Sequence, residues 1–145
     1  LYEGGTSIVE AVLMAVGATG RTGKVVVAES VHPDYRSTLS TYLANLEPKA
    51  EVVPAPDGFL DPDALRKHID SNTSAVVLQH PNFFGCLEEV EEIARIAHEA
   101  GALLVQSFDP VSLGLLKRPG ELGADIAVAE DKLRQAKNEG RNRVV

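Results

Sequence analysis

Apolar positions along this 145-residue chain switch repeatedly between two periods. Ile8, Val9, Val12, Leu13 and Val16 recur at helical spacing, with Thr6 or Ser7 placed to cap the start. Lys24–Ala28 is instead a short β-branched run, the pattern of a strand buried on both faces. Helical spacing returns through Tyr35, Leu39, Tyr42, Leu43 and Leu46, which predicts a helix from His32 to Leu46. Glu51–Val53 is a brief strand closed by Pro54 and Pro56. Asp61-Pro62 opens a further helix with proline at its first position, and Leu65 and Ile69 form its inner face. Ala75–Leu78 is the next strand and Leu87–Ala100 a strongly periodic helix stopped by Gly101. Ala102–Gln106 and Asp125–Ala129 are the last strand candidates. Strand followed by helix, five times with short connections, predicts an α/β fold: a three-layer α/β/α domain around a mainly parallel, doubly wound sheet. Ala75–Leu78 and Ala102–Gln106 lack polar alternation and belong in its interior.

Composition narrows the class. Apolar residues make up 44% and charged residues 24%, the balance of a globular chain that buries enough surface to offset ordering entropy. No apolar run approaches the ~20 residues of a membrane span, and no secretory pattern opens the chain, although it begins at Leu1. Twenty-one acidic against 14 basic residues give a net charge of −7, which disfavours nucleic acid. Cys86 is the only cysteine, so neither an internal disulfide nor a cysteine-rich zinc site is expected. No two histidines stand at i, i+4, and no metal site is expected. The expectation from composition is a cytosolic-type α/β chain. Residues 1–130 carry the domain pattern. Residues 131–145, seven of them Lys, Arg, Asp or Glu, form a charged tail expected as a solvated helix or a loose end.

Open parallel sheets bind ligands beyond the carboxyl ends of their strands. Four segments there carry unusual polar residues: Glu29–Pro33, Gln79–Asn82, Ser107–Pro110 and Ala129–Glu130. Gly4-Gly5-Thr6 before the first helix suits either an anion at a helix N-terminus or a plain capped start. Asp109, before Pro110, suits either a carboxylate partner for a ring nitrogen or a turn cap. His32 could stack on a planar ring, relay a proton or cap the helix that follows. His80 and Asn82 flank Pro81, where a functional and a turn-forming role look alike. His68 and His98 fall on helices, away from the strand ends. Phe83-Phe84-Gly85 reads as a local apolar plug, at least partly buried; exposed phenylalanines there would instead mark a lost contact.

Taken in order, these segments resemble a known family. Tyr2-Glu3-Gly4-Gly5-Thr6, Ser30-Val31-His32-Pro33-Asp34-Tyr35-Arg36, Gln79-His80-Pro81-Asn82-Phe83-Phe84-Gly85 and Asp109-Pro110-Val111-Ser112-Leu113-Gly114-Leu115-Leu116 resemble glycine dehydrogenase (decarboxylating), the P-protein of the glycine cleavage system. The resemblance is nearest to subunit 1 of its two-subunit form, and Pro119-Gly120-Glu121 with Gly123–Val128 extends it to about residue 130.

The resemblance implies part of the large domain of aspartate-aminotransferase-like (fold type I) pyridoxal-phosphate enzymes. It implies an enzyme that decarboxylates glycine on pyridoxal phosphate and passes the aminomethyl group to the lipoyl arm of H-protein. By analogy with the cofactor-bearing half of the family, Asp109 would partner the ring nitrogen, His32 would stack on the ring, and Gly5 and Thr6 would lie near the phosphate. The Schiff-base lysine belongs to P-protein subunit 2, which would hold most of the cofactor, and this chain alone is expected to be inactive. The family continues from Ala-Val-x-Glu into Gly-Gln-Ser-Leu-Gly, whereas Asp131-Lys132-Leu133-Arg134 follows here. Lys132 sits near where the lysine would fall, in a charged neighbourhood that offers little desolvation to activate its amine. Two other readings keep the same fold: a non-catalytic pairing scaffold, and another pyridoxal-phosphate lyase or transaminase.

Overall fold

The computed structural model describes residues 3–129. The tail and Lys132 lie outside the described residues. The chain runs α1 (Gly4–Thr19), β1 (Lys24–Ala28), α2 (Pro33–Leu43), β2 (Lys49–Val53), α3 (Pro62–His68), β3 (Thr73–Gln79), α4 (Val90–Glu99), β4 (Leu103–Phe108) and β5 (Ile126–Ala129). All five strands are parallel in the order β2-β1-β3-β4-β5. Ala75–Leu78 and Ala102–Gln106 fall, as expected, on the interior strands β3 and β4, paired in parallel with Ala75 opposite Leu103. Every residue of β3 is buried, which requires cover on both faces of the sheet. α1 packs on α2 and across β3, β4 and β5, while α3 packs on α4 and α4 on β4.

Local chemistry sets the helix ends. α1 starts two residues before the expected Thr6, because the Glu3 carboxylate accepts hydrogen bonds from the amides of Gly5 (2.5 Å) and Thr6 (2.7 Å). A Cβ on Gly4 would lie 2.5 Å from the Tyr35 hydroxyl, so glycine lets α1 approach α2. Asp61 caps α3 through the amide of Asp63, as its position before Pro62 predicts. Two other helices are shorter than their periodicity: α2 stops at Leu43 and α4 starts only at Val90. Strand and helix alternate only as far as β4: two 3-10 turns, Pro110–Gly114 and Pro119–Leu122, link β4 to β5, since prolines and glycines interrupt any longer helix.

Ile8, Val12, Val25, Val77, Leu78, Ile93 and Leu104 are among the buried residues of one continuous core. Arg21 staples its amino-terminal side, donating to the carbonyls of Thr73 (3.1 Å) and Ala100 (2.7 Å). At that same edge Lys24 pairs with Glu51 and Asp70, and His68 with Glu51. No helix among the described residues is long and apolar enough to cross a membrane.

Candidate functional site

The strand order reverses between β1 and β3, because α2 leads outward to β2 and α3 returns the chain to the far side of β1. In open parallel sheets such a reversal opens a crevice at the carboxyl edge. The segments that flank it are 29–32 after β1 and 80–89 after β3. The segment after β4, with Asp109, leaves the same edge two strand spacings from β1, about 10 Å away. His32 and Asp109 therefore share one edge, as expected.

His32 takes the capping role left open for it. Its Nδ1 accepts the Asp34 amide at 3.1 Å and so caps α2. Its ring also packs 4.8 Å from that of Tyr35 and 4.9 Å, edge-on, from that of Phe83. Its own amide donates to the Gln79 side-chain oxygen at 2.8 Å, which ties the end of β3 to the start of α2. Asp109 caps the 3-10 turn through the Val111 amide at 2.9 Å. Among the described residues no hydrogen bond engages its second carboxylate oxygen.

Gly5 and Thr6 lie inside the first turn of α1 rather than in a loop, with their amides on Glu3. A neighbouring carboxylate already fills the seat expected for a phosphate. The phenylalanines are partly buried, as expected, but do not form the expected plug. Phe83 and Phe84 are 48% and 54% exposed, so they do not plug the core but stand half out of it. Phe59, Leu87, Val111 and Leu115 are exposed on segments of the same edge.

Sequence reasoning missed the buried polar knot between these loops. Glu88 is only 6% exposed, and its carboxylate accepts from Ser30 Oγ (2.5 Å), Asn82 Nδ2 (2.7 Å) and the Leu60 amide (2.8 Å). Asn82 Nδ2 also donates to the Gly58 carbonyl, and Asn82 Oδ1 accepts the amides of Phe84 and Cys86. His80, joined to Pro81 by a cis peptide bond, accepts the Glu88 amide on Nδ1 at 3.1 Å. The only available signal was three polar residues, His80, Asn82 and Glu88, between the apolar run Ala75–Leu78 and an amphipathic helix. His68 and His98 stay on α3 and α4, paired with Glu51 and Asp125. The described residues hold no cluster that could bind a metal ion.

Burial pushes the His80 imidazole below its ordinary value of 6.5, and the opposing pull of Glu88 is smaller. Only the neutral ring can accept the Glu88 amide. The unfolded chain therefore takes up the proton first on acidification. The stability due to this depression is complete above pH 6.5 and is lost as pH falls through the folded value. The advantage of wild type over His80→Asn in urea midpoint should shrink between pH 7.5 and 5.5, with wild type losing more. Parallel midpoints would contradict this account of His80.

Residues 1–133 match the family described as Glycine cleavage system P-protein. The chain belongs to that family. It is 51% identical over 130 residues to "Probable glycine dehydrogenase (decarboxylating) subunit 1" of Carboxydothermus hydrogenoformans, an alignment covering 90% of this chain and 29% of that protein. The crystal structure of glycine decarboxylase (P-protein) of the glycine cleavage system in inhibitor-bound form superposes with a TM-score of 0.79 at 42% identity, with the same coverage of 90% and 29%. An aspartate aminotransferase of Thermus thermophilus shares the fold, with a TM-score of 0.65 and 22% identity over 87% of this chain and 36% of that one. The expected aspartate-aminotransferase-like fold is thus present. This P-protein family member spans less than a third of its relatives' length.

The described residues do not make a complete seat for pyridoxal phosphate. Asp109 retains an open carboxylate oxygen and His32 offers a ring, but Glu3 holds the amides meant for the phosphate. Lys24 and Lys49 open strands at the opposite edge, and Lys117 is paired with Glu91.

Proposed function

We propose that this chain is a stretch of subunit 1 of a two-subunit glycine dehydrogenase (decarboxylating), acting in the cytoplasm in glycine breakdown. The observation that carries the reading is 51% identity to such a subunit over 130 residues, 90% of this chain. In this reading the chain supplies one wall of a site shared with subunit 2, where glycine is decarboxylated and its aminomethyl group passes to the lipoyl arm of H-protein. Pyridoxal phosphate, held mainly by subunit 2, supplies the electron sink for that chemistry.

This chain's own residues do the work of a wall. Tyr35, His32 and Phe83 form a continuous ring surface beside the crevice. Asp109 adds an acceptor at the same edge. Phe84, Val111 and Leu115, exposed on segments that leave this edge, would act as an apolar rim that excludes water once covered. Glu3, by filling the α1 terminus, leaves anion binding to the partner.

The test is exchange of labelled bicarbonate into glycine by the full-length subunits with H-protein. Exchange should need both subunits, with either alone at background. Full exchange by subunit 2 alone would make this chain a pairing scaffold. Exchange by subunit 1 alone, lost on Lys132→Ala, would move the active amine to this chain.

A further inference from the structure

Glu88 is the one strongly buried carboxylate among the described residues, and no cation bonds to it. Burying a carboxylate against neutral donors is costly unless its geometry is well satisfied. Here three donors from three segments converge on it: Ser30 from the loop after β1, Leu60 from the segment before α3, and Asn82 from the loop after β3. The backbone repeats the connection, since the Phe83 amide donates to the Ser30 carbonyl at 2.9 Å. The segments tied together are those flanking the strand-order reversal, and His32 lies two residues beyond Ser30. The His32–Phe83 ring contact bridges the two loops that the carboxylate joins. Satisfied buried polar networks of this kind select one geometry among many that apolar packing alone would tolerate.

We propose that Glu88 is a positioning residue: its carboxylate locks the loops after β1 and β3 in register, and so holds the His32–Phe83 ring pair on the wall presented to the shared site. The inference rests on the reading of this edge as one wall of that site. Glutamine cannot replace the carboxylate. Its NH2 group would face either the Leu60 amide or the donating Asn82 Nδ2, a donor against a donor in both cases.

The experiment uses full-length subunit 1 assembled with subunit 2, comparing Glu88→Gln, Ser30→Ala, His32→Ala and the double variant Glu88→Gln/His32→Ala. Bicarbonate exchange is measured per assembled complex, so that a loss of folded protein does not register. Glu88→Gln should lower the rate at least tenfold and His32→Ala by a similar factor. The double variant should be no slower than the slower single, because Glu88 acts through the ring pair. If Glu88→Gln does not assemble, Ser30→Ala decides, with at least a threefold fall expected. A rate lost in His32→Ala but kept in Glu88→Gln, or in Ser30→Ala where that variant decides, overturns the positioning role, as does a multiplicative double variant. A rate kept in all of them overturns the reading of this edge as well. A crystal structure of the assembled Glu88→Gln variant, or of Ser30→Ala where that variant decides, separates the two failures. A ring pair still in contact refutes the role of Glu88 whatever the rates, and a parted pair beside a lowered rate supports it.

Discussion

Changing Val111 and Leu115 together to aspartate should weaken assembly of full-length subunit 1 with subunit 2 by at least 100-fold, while urea unfolding of subunit 1 alone moves by no more than about 0.5 kcal/mol. The asymmetry follows from exposure. Leu115 is 96% and Val111 78% open to solvent, so the fold owes them little. Covering two such side chains in an interface is worth about 1.5–3 kcal/mol each, and a buried aspartate adds a desolvation cost. A hundredfold loss corresponds to about 2.7 kcal/mol, slightly less than the roughly 3–6 kcal/mol that the two side chains would contribute together. Titration calorimetry or analytical ultracentrifugation of the two subunits reads the effect. Unchanged affinity would remove the apolar rim from the interface. A large loss of stability in subunit 1 alone would assign its cover to another part of the same subunit.

Asn82→Asp should have the largest effect on the fold itself, roughly 3–5 kcal/mol at neutral pH. The substitution keeps shape and reverses chemistry. Nδ2 now donates to the Gly58 carbonyl and to Glu88 Oε1, both at 2.7 Å, and an aspartate oxygen there donates to neither. It would also set a second carboxylate against the buried one, and two carboxylates that close cannot both ionise. The raised affinity of the pair for one proton gives the sign. The penalty is full at high pH and is relieved as pH falls through the pair's raised value. Urea midpoints should therefore show the variant gaining on wild type as the solution is acidified from pH 8 to 5. A variant within 1 kcal/mol of wild type throughout would mean that Asn82 is an ordinary turn residue.

These two positions differ in how visible they were in the sequence. The β-branched and apolar runs at Val25–Val27 and Ala75–Leu78 announced buried parallel strands, because a strand covered on both faces has no polar alternation to hide it. Asp61-Pro62 announced a helix start for an equally local reason, a cap and a preset φ. The order of the strands was not local information, and neither was the crevice between β1 and β3. Leu87 and Glu88 continue the α4 periodicity, yet the helix waits until Val90. The Glu88 carboxylate is committed to Ser30 and Leu60, 58 and 28 residues away, and no window of sequence contains those partners. Glu3 misled although its partners are only two and three residues away. Gly4-Gly5-Thr6 has the composition of an anion seat, but the carboxylate one residue earlier folds back onto it. His32 and Asp109 were recognisable as residues of one edge, and each proved to be a helix or turn cap as well.

The division of labour between two subunits can be tested directly by locating the cofactor. Full-length subunits 1 and 2, assembled with pyridoxal phosphate, are treated with borohydride, digested and analysed by peptide mass spectrometry. The account predicts a pyridoxyl group on a lysine of subunit 2 and none on subunit 1, where Glu3 fills the anion seat, Lys24 and Lys49 open strands at the opposite edge and Lys117 is paired with Glu91. A stoichiometric pyridoxyl group on subunit 1, at Lys132 above all, would contradict it.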